Sequence, residues 1–525
     1  MQADWCNNNC KLNCSPSMTY VGHCECVRFL PMTDVATGGS HSFKQATWEY
    51  AQNPGTAATK YDVIQNWKVG CVKDFSHVFS TYRDSTGSKT TGKSNPNAAN
   101  LNLQDIENWD TSSCTTLQRA FFGASSMNAG LSKWAVSKVT TLQGTFQGAS
   151  KFTGASLNSW ITTAVTTLEN TFAQASSMNS DLSSWKVEKV TTLYNTFNEA
   201  TKFAGVGLNS WKTGKVSTLY RTFYSAVAMN GDISTWIVNQ VTTMENTFDG
   251  ASKFVGTGLS WNTFNLATLR YTFSKATAFN SDLSKWHVAK VKTMENTFSG
   301  ASKFVGTGLN SWNTGSLTRL DFTFRNAVAM NGDISTWNVR QVTTLQSTFE
   351  GASKFEGKGL ASWFTQNTGV AVPEVKTMSN TFLGSLTSCN KRRIADFWAM
   401  NPVFAATSYP TDWATDTCTV RIRFACAAYA RTLLCTVFPS PRVHAHVCVR
   451  SVRHMLQHGG ADCYRGISTL THYICSPPPP SPSSLLYPPA PPTMKGIFCH
   501  VQVHSRRQGR LCLLRRCRCL VNRRA

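Results

Sequence analysis

Charge is scarce in this 525-residue sequence, where Asp, Glu, Lys and Arg together make up only 15%. Its surface must therefore be built largely from Ser, Thr, Asn and Gly. Histidine is nearly missing from the centre, where His287 stands alone between Trp109 and Phe382. That span also holds no Gly-rich phosphate loop and no Cys/His cluster, so the converging titratable groups of an active site are lacking and no enzyme, cofactor or metal is expected. No run reaches the ~18 uncharged apolar residues that a membrane helix requires. The first thirty residues show no charged segment followed by an apolar one, so no secretory signal is expected within them, and export would call for a start upstream of Met1.

The net charge of +23 invites a nucleic-acid reading, but its distribution argues against one. Residues 1–100 hold 9 basic and 7 acidic side chains, residues 101–400 hold 26 and 18, and residues 401–525 hold 16 and 3. More than half of the excess lies in the last quarter. Cysteine is uneven too: Cys6, Cys10, Cys14, Cys24 and Cys26 crowd the start, which predicts a disulfide-stapled segment over 1–44. An odd five leaves one over, with Cys71 as the candidate partner.

What the sequence does hold is a ruler. Trp109, Trp134, Trp160, Trp185, Trp211, Trp236, Trp261, Trp286, Trp312, Trp337 and Trp363 recur every 25 or 26 residues, the fixed period of stacked repeats. A Phe follows twelve residues after each of the first ten, from Phe121 to Phe349, and Trp67 with Phe79 keeps the same step. Trp-to-Phe is constant, whereas Phe to the next Trp is 13 or 14, so the tolerant part is a loop. Two insertions, near 80–100 and 364–371, should be surface excursions. Units also alternate in pairs, MNSDLSSW exchanging with KFAGVGLNSW, so the longer period is often 51.

Within LSSWKVEKVTTLYNTFNEATKF the pattern changes midway. Apolar residues two apart at Trp185 and Val187 predict a short strand. Leu193, Phe197, Ala200 and Phe203, spaced 4, 3 and 3, predict about two helical turns. The pairs Thr140 with Gln143, Thr166 with Glu169, Thr242 with Glu245 and Thr343 with Gln346 fit capping boxes at the helix start. Ala149, Ala175 and Ala200, three after Phe, let neighbours approach. One coil cannot bury its own face, so stacking must supply the core.

The string W-x-V-x-x-V-T-x-M/L-x-x-T-F-x-x-A-x-x-F/M-N-x-D-L-S-x-W resembles the repeat of about 25 residues in mycoplasma lipoproteins and in BspA-like leucine-rich-repeat surface proteins. The resemblance runs over about Trp67–Phe382. It implies an α/β, leucine-rich-repeat-like solenoid of short parallel strands and short helices with surface attachment or binding roles. The usual repeat has Met before the helical Phe, where this chain has Thr145, Thr171 and Thr196, and no lipoprotein cysteine signal is visible.

The organisation expected is a Cys-rich segment over 1–44, a lead-in over 45–66, the solenoid over 67–390, a cap over 391–416 with Phe397 and Trp398 covering the last coil, and a disordered tail over 417–525. That tail has 15 Arg, a single Lys (Lys495), one acid (Asp462) and ten Cys. It reads as mistranslated sequence or as a polyanion-binding extension. Cys512, Cys517 and Cys519 are not read as a metal site.

The function expected is non-catalytic recognition or adhesion at a cell surface or outside the cell, toward a protein or a cell-surface glycan. Nucleic acid and small-molecule substrates are not expected. The variable positions flanking Trp, namely Lys133, Lys186, Lys212, Asn262, His287, Asn313 and Asn338, are the candidate contacts. Two further readings are weighed. The Asn-x-Asp pairs Asn179/Asp181, Asn230/Asp232, Asn280/Asp282 and Asn331/Asp333 could hold calcium or form Asx turns. The Thr column Thr141, Thr167, Thr192, Thr218, Thr243, Thr293 and Thr344 could bind ice or cap helices.

Overall fold

The structure is a computed structural model that describes residues 32–33, 41–360, 363, 375–399, 401–416, 418–424, 431–438 and 446–448. The five N-terminal cysteines, the insertion at 364–371, the Phe397 side chain and Cys512, Cys517 and Cys519 lie outside the described residues. The chain divides into two compact units, Met1–Asp416 and Thr417–Ala525.

In the first unit the repeat period is the period of the packing. Every Trp of the ruler is buried, and where Trp rings pair from coil to coil their centroids lie 5.8 to 6.5 Å apart. Each indole also donates to a carbonyl of the preceding coil: Trp160 Nε1 to Leu131 O at 3.0 Å, Trp185 to Leu157 O at 2.9 Å, Trp236 to Leu208 O at 2.9 Å. A buried indole N–H is thereby satisfied, as it must be. The Phe column stacks likewise, Phe197 on Phe223 at 5.5 Å and Phe223 on Phe248 at 5.5 Å. On alternate coils a second Phe lies against the first, as Phe203 does on Phe197 at 4.1 Å. Each fully buried large side chain contributes roughly 1.5–3 kcal/mol, and only the neighbouring coils bury it.

Parallel pairing sits elsewhere than expected. The single-residue bridges fall seven residues after each Trp, linking Thr116 to Thr141, Thr141 to Thr167, Thr192 to Thr218 and Thr218 to Thr243, not at the Trp itself. From there on, every second amide reaches the next coil: Leu142 N to Thr167 O at 3.3 Å, Gly144 N to Glu169 O at 2.8 Å, Phe146 N to Thr171 O at 2.9 Å, Gly148 N to Ala173 O at 2.8 Å. Of the amides between, Thr145 N and Gln147 N bond three residues back, to Leu142 O at 3.1 Å and Gly144 O at 3.2 Å.

The short helix expected after the bridge is corrected to a run of turns. Two residues per coil, four apart, have positive φ: Asn195 (53°) and Glu199 (57°), Gly144 (61°) and Gly148 (73°), Asn246 (54°) and Gly250 (76°). A left-handed residue every four positions breaks any α-helix, and Gly and Asn recur there because they take that conformation at least cost. The 4-3-3 spacing of apolar residues reports successive inward corners. The capping boxes dissolve with the helix. Thr140 Oγ1 donates to Thr115 O at 3.3 Å one coil back, while the Gln143 amide donates to Thr141 Oγ1 at 3.2 Å.

From Phe146 onward the Thr before the Phe is fully buried, and the Thr145 hydroxyl lies between two carbonyls, Leu142 O (2.8 Å) and Leu117 O of the preceding coil (2.9 Å). Thr171, Thr222 and Thr247 repeat the arrangement, and Thr196 Oγ1 donates to Leu168 O of the preceding coil at 3.0 Å. A Met there would fill space but could not donate.

Both ends of the array are covered by helices. Helix α1 (Phe43–Gln52) lays Phe43 on Phe75 and Trp109, with centroids at 4.9 and 5.6 Å, and α2 (Pro54–Tyr61) follows with Asn53 Oδ1 accepting the Thr56 amide at 3.0 Å. The insertion near 80–100 is only partly a surface excursion. Its Arg83 and Asn95 are buried, and the Arg83 guanidinium donates to Val78 O (2.6 Å), Thr47 Oγ1 (3.0 Å), Asp84 O (2.9 Å) and Lys44 O. Such a cation is held inside because carbonyl oxygens take up its donors. At the other end α3 (Ser388–Trp398) places Trp398 on Trp363 at 6.4 Å, its Nε1 donating to Leu360 O at 3.0 Å, and Phe404 and Trp413 are buried beside it. Cys71 is a free thiol in a half-buried turn, so pairing with a leftover N-terminal cysteine is corrected; buried Val69 and Val72 hold it within the first coil.

The second unit contains an antiparallel sheet of Cys418–Phe424, Arg431–Phe438 and His446–Cys448, with Val420 opposite Cys435 and Val437 opposite Val447. These β-prone stretches pair where the composition alone predicts no order.

Candidate functional site

At each Trp the backbone is extended, with φ −75° and ψ 125° at Trp211, so successive side chains alternate between core and solvent. Trp and the second residue after it are buried, and the first residue after it is exposed. Lys186, Lys212, Asn262, His287, Asn313 and Asn338 all occupy this first position and form one exposed column. Lys133 flanks Trp134 on the other side, exposed in a different column, and its Nζ donates to Asn108 Oδ1 at 2.6 Å.

Sequence reading missed the column's apolar members. Ile161 and Ile237 share the first position at 59% and 51% exposure, and Phe264, two residues further on than Asn262, is 56% exposed. Phe264 stacks on His287 of the next coil at 4.4 Å with planes 20° apart. The one signal in the sequence was their place in the ruler. An Ile directly after a Trp was readable as exposed once the Trp was known to be buried.

The column is held by a device whose signature is the two-coil alternation. The residue two after Trp alternates between Thr and Val: Thr162, Val187, Thr213, Val238, Thr263, Val288. Each such Thr hydroxyl accepts the amide of the column residue on the next coil and donates to its carbonyl. The distances are 2.7 and 3.0 Å for Thr162 with Lys186, 2.9 and 3.0 Å for Thr213 with Ile237, 2.7 and 2.8 Å for Thr263 with His287, and 2.7 and 3.0 Å for Thr314 with Asn338. Both backbone groups of every second column residue are fixed, so the side chains project from a preset line.

The Asn-x-Asp pairs have structural partners. Asn179, Asn230, Asn280 and Asn331 accept amides of the next coil, Ala204 N at 2.9 Å and Val255 N at 3.0 Å among them. Asp181, Asp232, Asp282 and Asp333 accept the amide two residues on, at 2.8 to 2.9 Å, which is the Asx turn. Among the described residues no three His, Cys, Asp or Glu side chains gather as a cation site.

The Thr column seven after Trp lies on the parallel ladder, each hydroxyl accepting the amide two residues later. Two residues further the side chains are uneven and large: Tyr194, Tyr220, Glu245, Arg270, Glu295. Tyr194 and Tyr220 stack at 4.9 Å, and Arg270 bridges Glu245 (2.9 Å) and Glu295 (3.1 Å), whose hydrogen bonds and charge hold the guanidinium above its ordinary pKa. A flat repeating hydroxyl plane is not what this face offers.

One buried titratable cluster stands at the α1 end. His77 is pushed down to about 4, first by burial and then by the positive charges of Arg119, Lys44 and Arg83. Its neighbours belong to the packing of the first coil.

A family described as a Mycoplasma protein of unknown function, DUF285, matches the chain three times in tandem, at residues 91–207, 192–308 and 282–397. No curated protein and no solved structure matches it. Among the described residues no helix is long and apolar enough to cross a membrane.

Proposed function

Because the chain belongs to the DUF285 family, whose repeats it carries in tandem over more than half its length, we propose that it is a non-catalytic recognition protein: a continuous leucine-rich-repeat-like solenoid that presents one preset line of side chains to a protein or glycan outside the cell. The observation that carries this reading is the exposed column after Trp, with Ile161, Ile237 and Phe264 left in water between Lys186, Lys212 and His287 on a backbone fixed by Thr hydroxyls. Exposed apolar and aromatic side chains are the anchors of a contact surface. An adhesion role follows from the same line repeating over many coils, since weak contacts multiply along a rigid array. The test is binding of the full chain to panels of matrix proteins and cell-surface glycans, with and without I161S/I237S/F264S/H287S. A bound ligand should weaken at least tenfold while thermal unfolding stays in place. Unchanged binding to every ligand found would move the site off this column.

A further inference from the structure

A second line of side chains runs along the array, seventeen residues after Trp. On every second coil it carries lysine: Lys151, Lys202, Lys253, Lys303 and Lys354. On the coils between it carries Ser177, Ala228, Ala278 and Ala329, too short to touch an ammonium. The alternation is that of the 51-residue period, in which each Lys precedes the buried second Phe of its coil, as Lys202 precedes Phe203. Backbone pairing places the line: Lys202 N donates to Ser176 O at 3.2 Å, Ala228 N to Thr201 O at 3.1 Å, Lys253 N to Val227 O at 3.3 Å and Ala278 N to Ser252 O at 3.1 Å. All five lysines are exposed, and among the described residues none of the five ammonium groups has an ion-pair or hydrogen-bond partner.

Two coils of hydrogen-bonded backbone separate successive lysines by about 10 Å, twice the inter-strand spacing. That exceeds the Debye length of about 8 Å at physiological salt, so the lysines repel one another weakly and each can meet its own anion. In the four columns from sixteen to nineteen after Trp, over ten coils, the only carboxylate is Glu356 at the far end. The large apolar side chains exposed in these columns are Val227, Val255, Val305 and Val328, among exposed Thr153, Thr201, Thr277, Asn230 and Asn280.

We propose that this lysine row, with its Val, Thr and Asn margins, binds a linear acidic polysaccharide carrying roughly one anionic group per disaccharide. Lysine is a compact point charge on a flexible stem and suits single carboxylates or sulfates spaced apart along a chain. Nucleic acid fits worse. Its phosphates recur every ~3.4 Å along a strand, so a cation every ~10 Å leaves most of them unmet. The margins are Val, Thr and Asn and not the aromatic platforms on which bases stack. The row stands in other columns than the proposed recognition line and is independent of it.

The test uses the full chain, with hyaluronan, which has one carboxylate per disaccharide, as the probe. Titration calorimetry at low and physiological salt compares wild type with K151Q/K202Q/K253Q/K303Q/K354Q. The Arg-rich tail is present in both, so it cancels from the comparison. A control removes the same charge elsewhere, K138Q/K189Q/K215Q/K290Q/K376Q. Each exposed pair is worth about two- to threefold in affinity, so losing five should weaken hyaluronan binding on the order of 100-fold. Binding should fall with added salt, the control should stay within about threefold, and both variants should melt with wild type. The proposal is overturned if the row variant binds within threefold of wild type, if the control loses as much as the row variant, or if the row substitutions weaken binding of single-stranded DNA of equal length by more than they weaken binding of hyaluronan.

Discussion

Replacing Thr222 by Val should isolate the contribution of the buried hydroxyl column. The side chain is fully buried, and its Oγ1 stands 2.9 Å from both Leu193 O on the preceding coil and Leu219 O on its own. A hydroxyl has one proton, so it makes one full hydrogen bond at a time and shares it between the two acceptors. Each acceptor has another partner, since Leu193 O takes the Thr196 amide and Leu219 O the Thr222 amide, both at 3.1 Å. Valine therefore removes one net hydrogen bond and leaves no carbonyl bare, which sets the cost near 1 kcal/mol rather than the full penalty of an orphaned group. Thr222→Ser keeps the bond and removes a methyl, at about 0.8 kcal/mol from transfer alone. Thr222→Ala loses both and should cost about 2 kcal/mol. Because neighbouring coils share the column, hydrogen exchange should accelerate in the coils on either side of residue 222 before it does elsewhere. The assay is exchange mass spectrometry combined with urea unfolding of the full chain. A Val variant as stable as wild type, with unaltered exchange at residues 193 to 247, would refute the idea that these hydroxyls tie coil to coil.

Two further outcomes test the packing. Gly231 has no left-handed backbone to explain it, but a Cβ there would lie 2.1 Å from Gly205 O, so Gly231→Ala should cost about 2–3 kcal/mol by forcing the two coils apart; an unshifted denaturation midpoint would contradict this. His77 has a folded-state pKa lowered to about 4 from 6.5, so its neutral form is the native one and its contribution is intact above pH 6.5. As the pH falls from 6.5 to about 4 the unfolded chain binds a proton that the folded chain refuses, and stability should drop by up to about 3 kcal/mol. His77→Gln should flatten that limb of the curve in pH-dependent urea unfolding, and an unchanged limb would exclude His77 as its cause.

The sequence by itself determined the period of the array and which side chains go inward. Trp, Phe and Leu recurring at constant offsets can be buried only if the coils repeat and stack, and that holds whatever the backbone does between them. The exposed column after Trp was legible for the same reason, because it alternates with buried positions on extended chain. Tertiary structure alone decided how the chain turns between its inward corners. Spacing of 4, 3 and 3 suits a helix and a run of turns equally, and the choice falls to left-handed residues such as Asn195 and Glu199 and to amides that reach the next coil instead of their own. It also decided what the polar repeats do. Thr145 within the core, Thr162 behind Lys186 and Asn179 beneath Ala204 all bond partners about one coil away, and a hydrogen bond across some 25 residues leaves no local mark in the sequence.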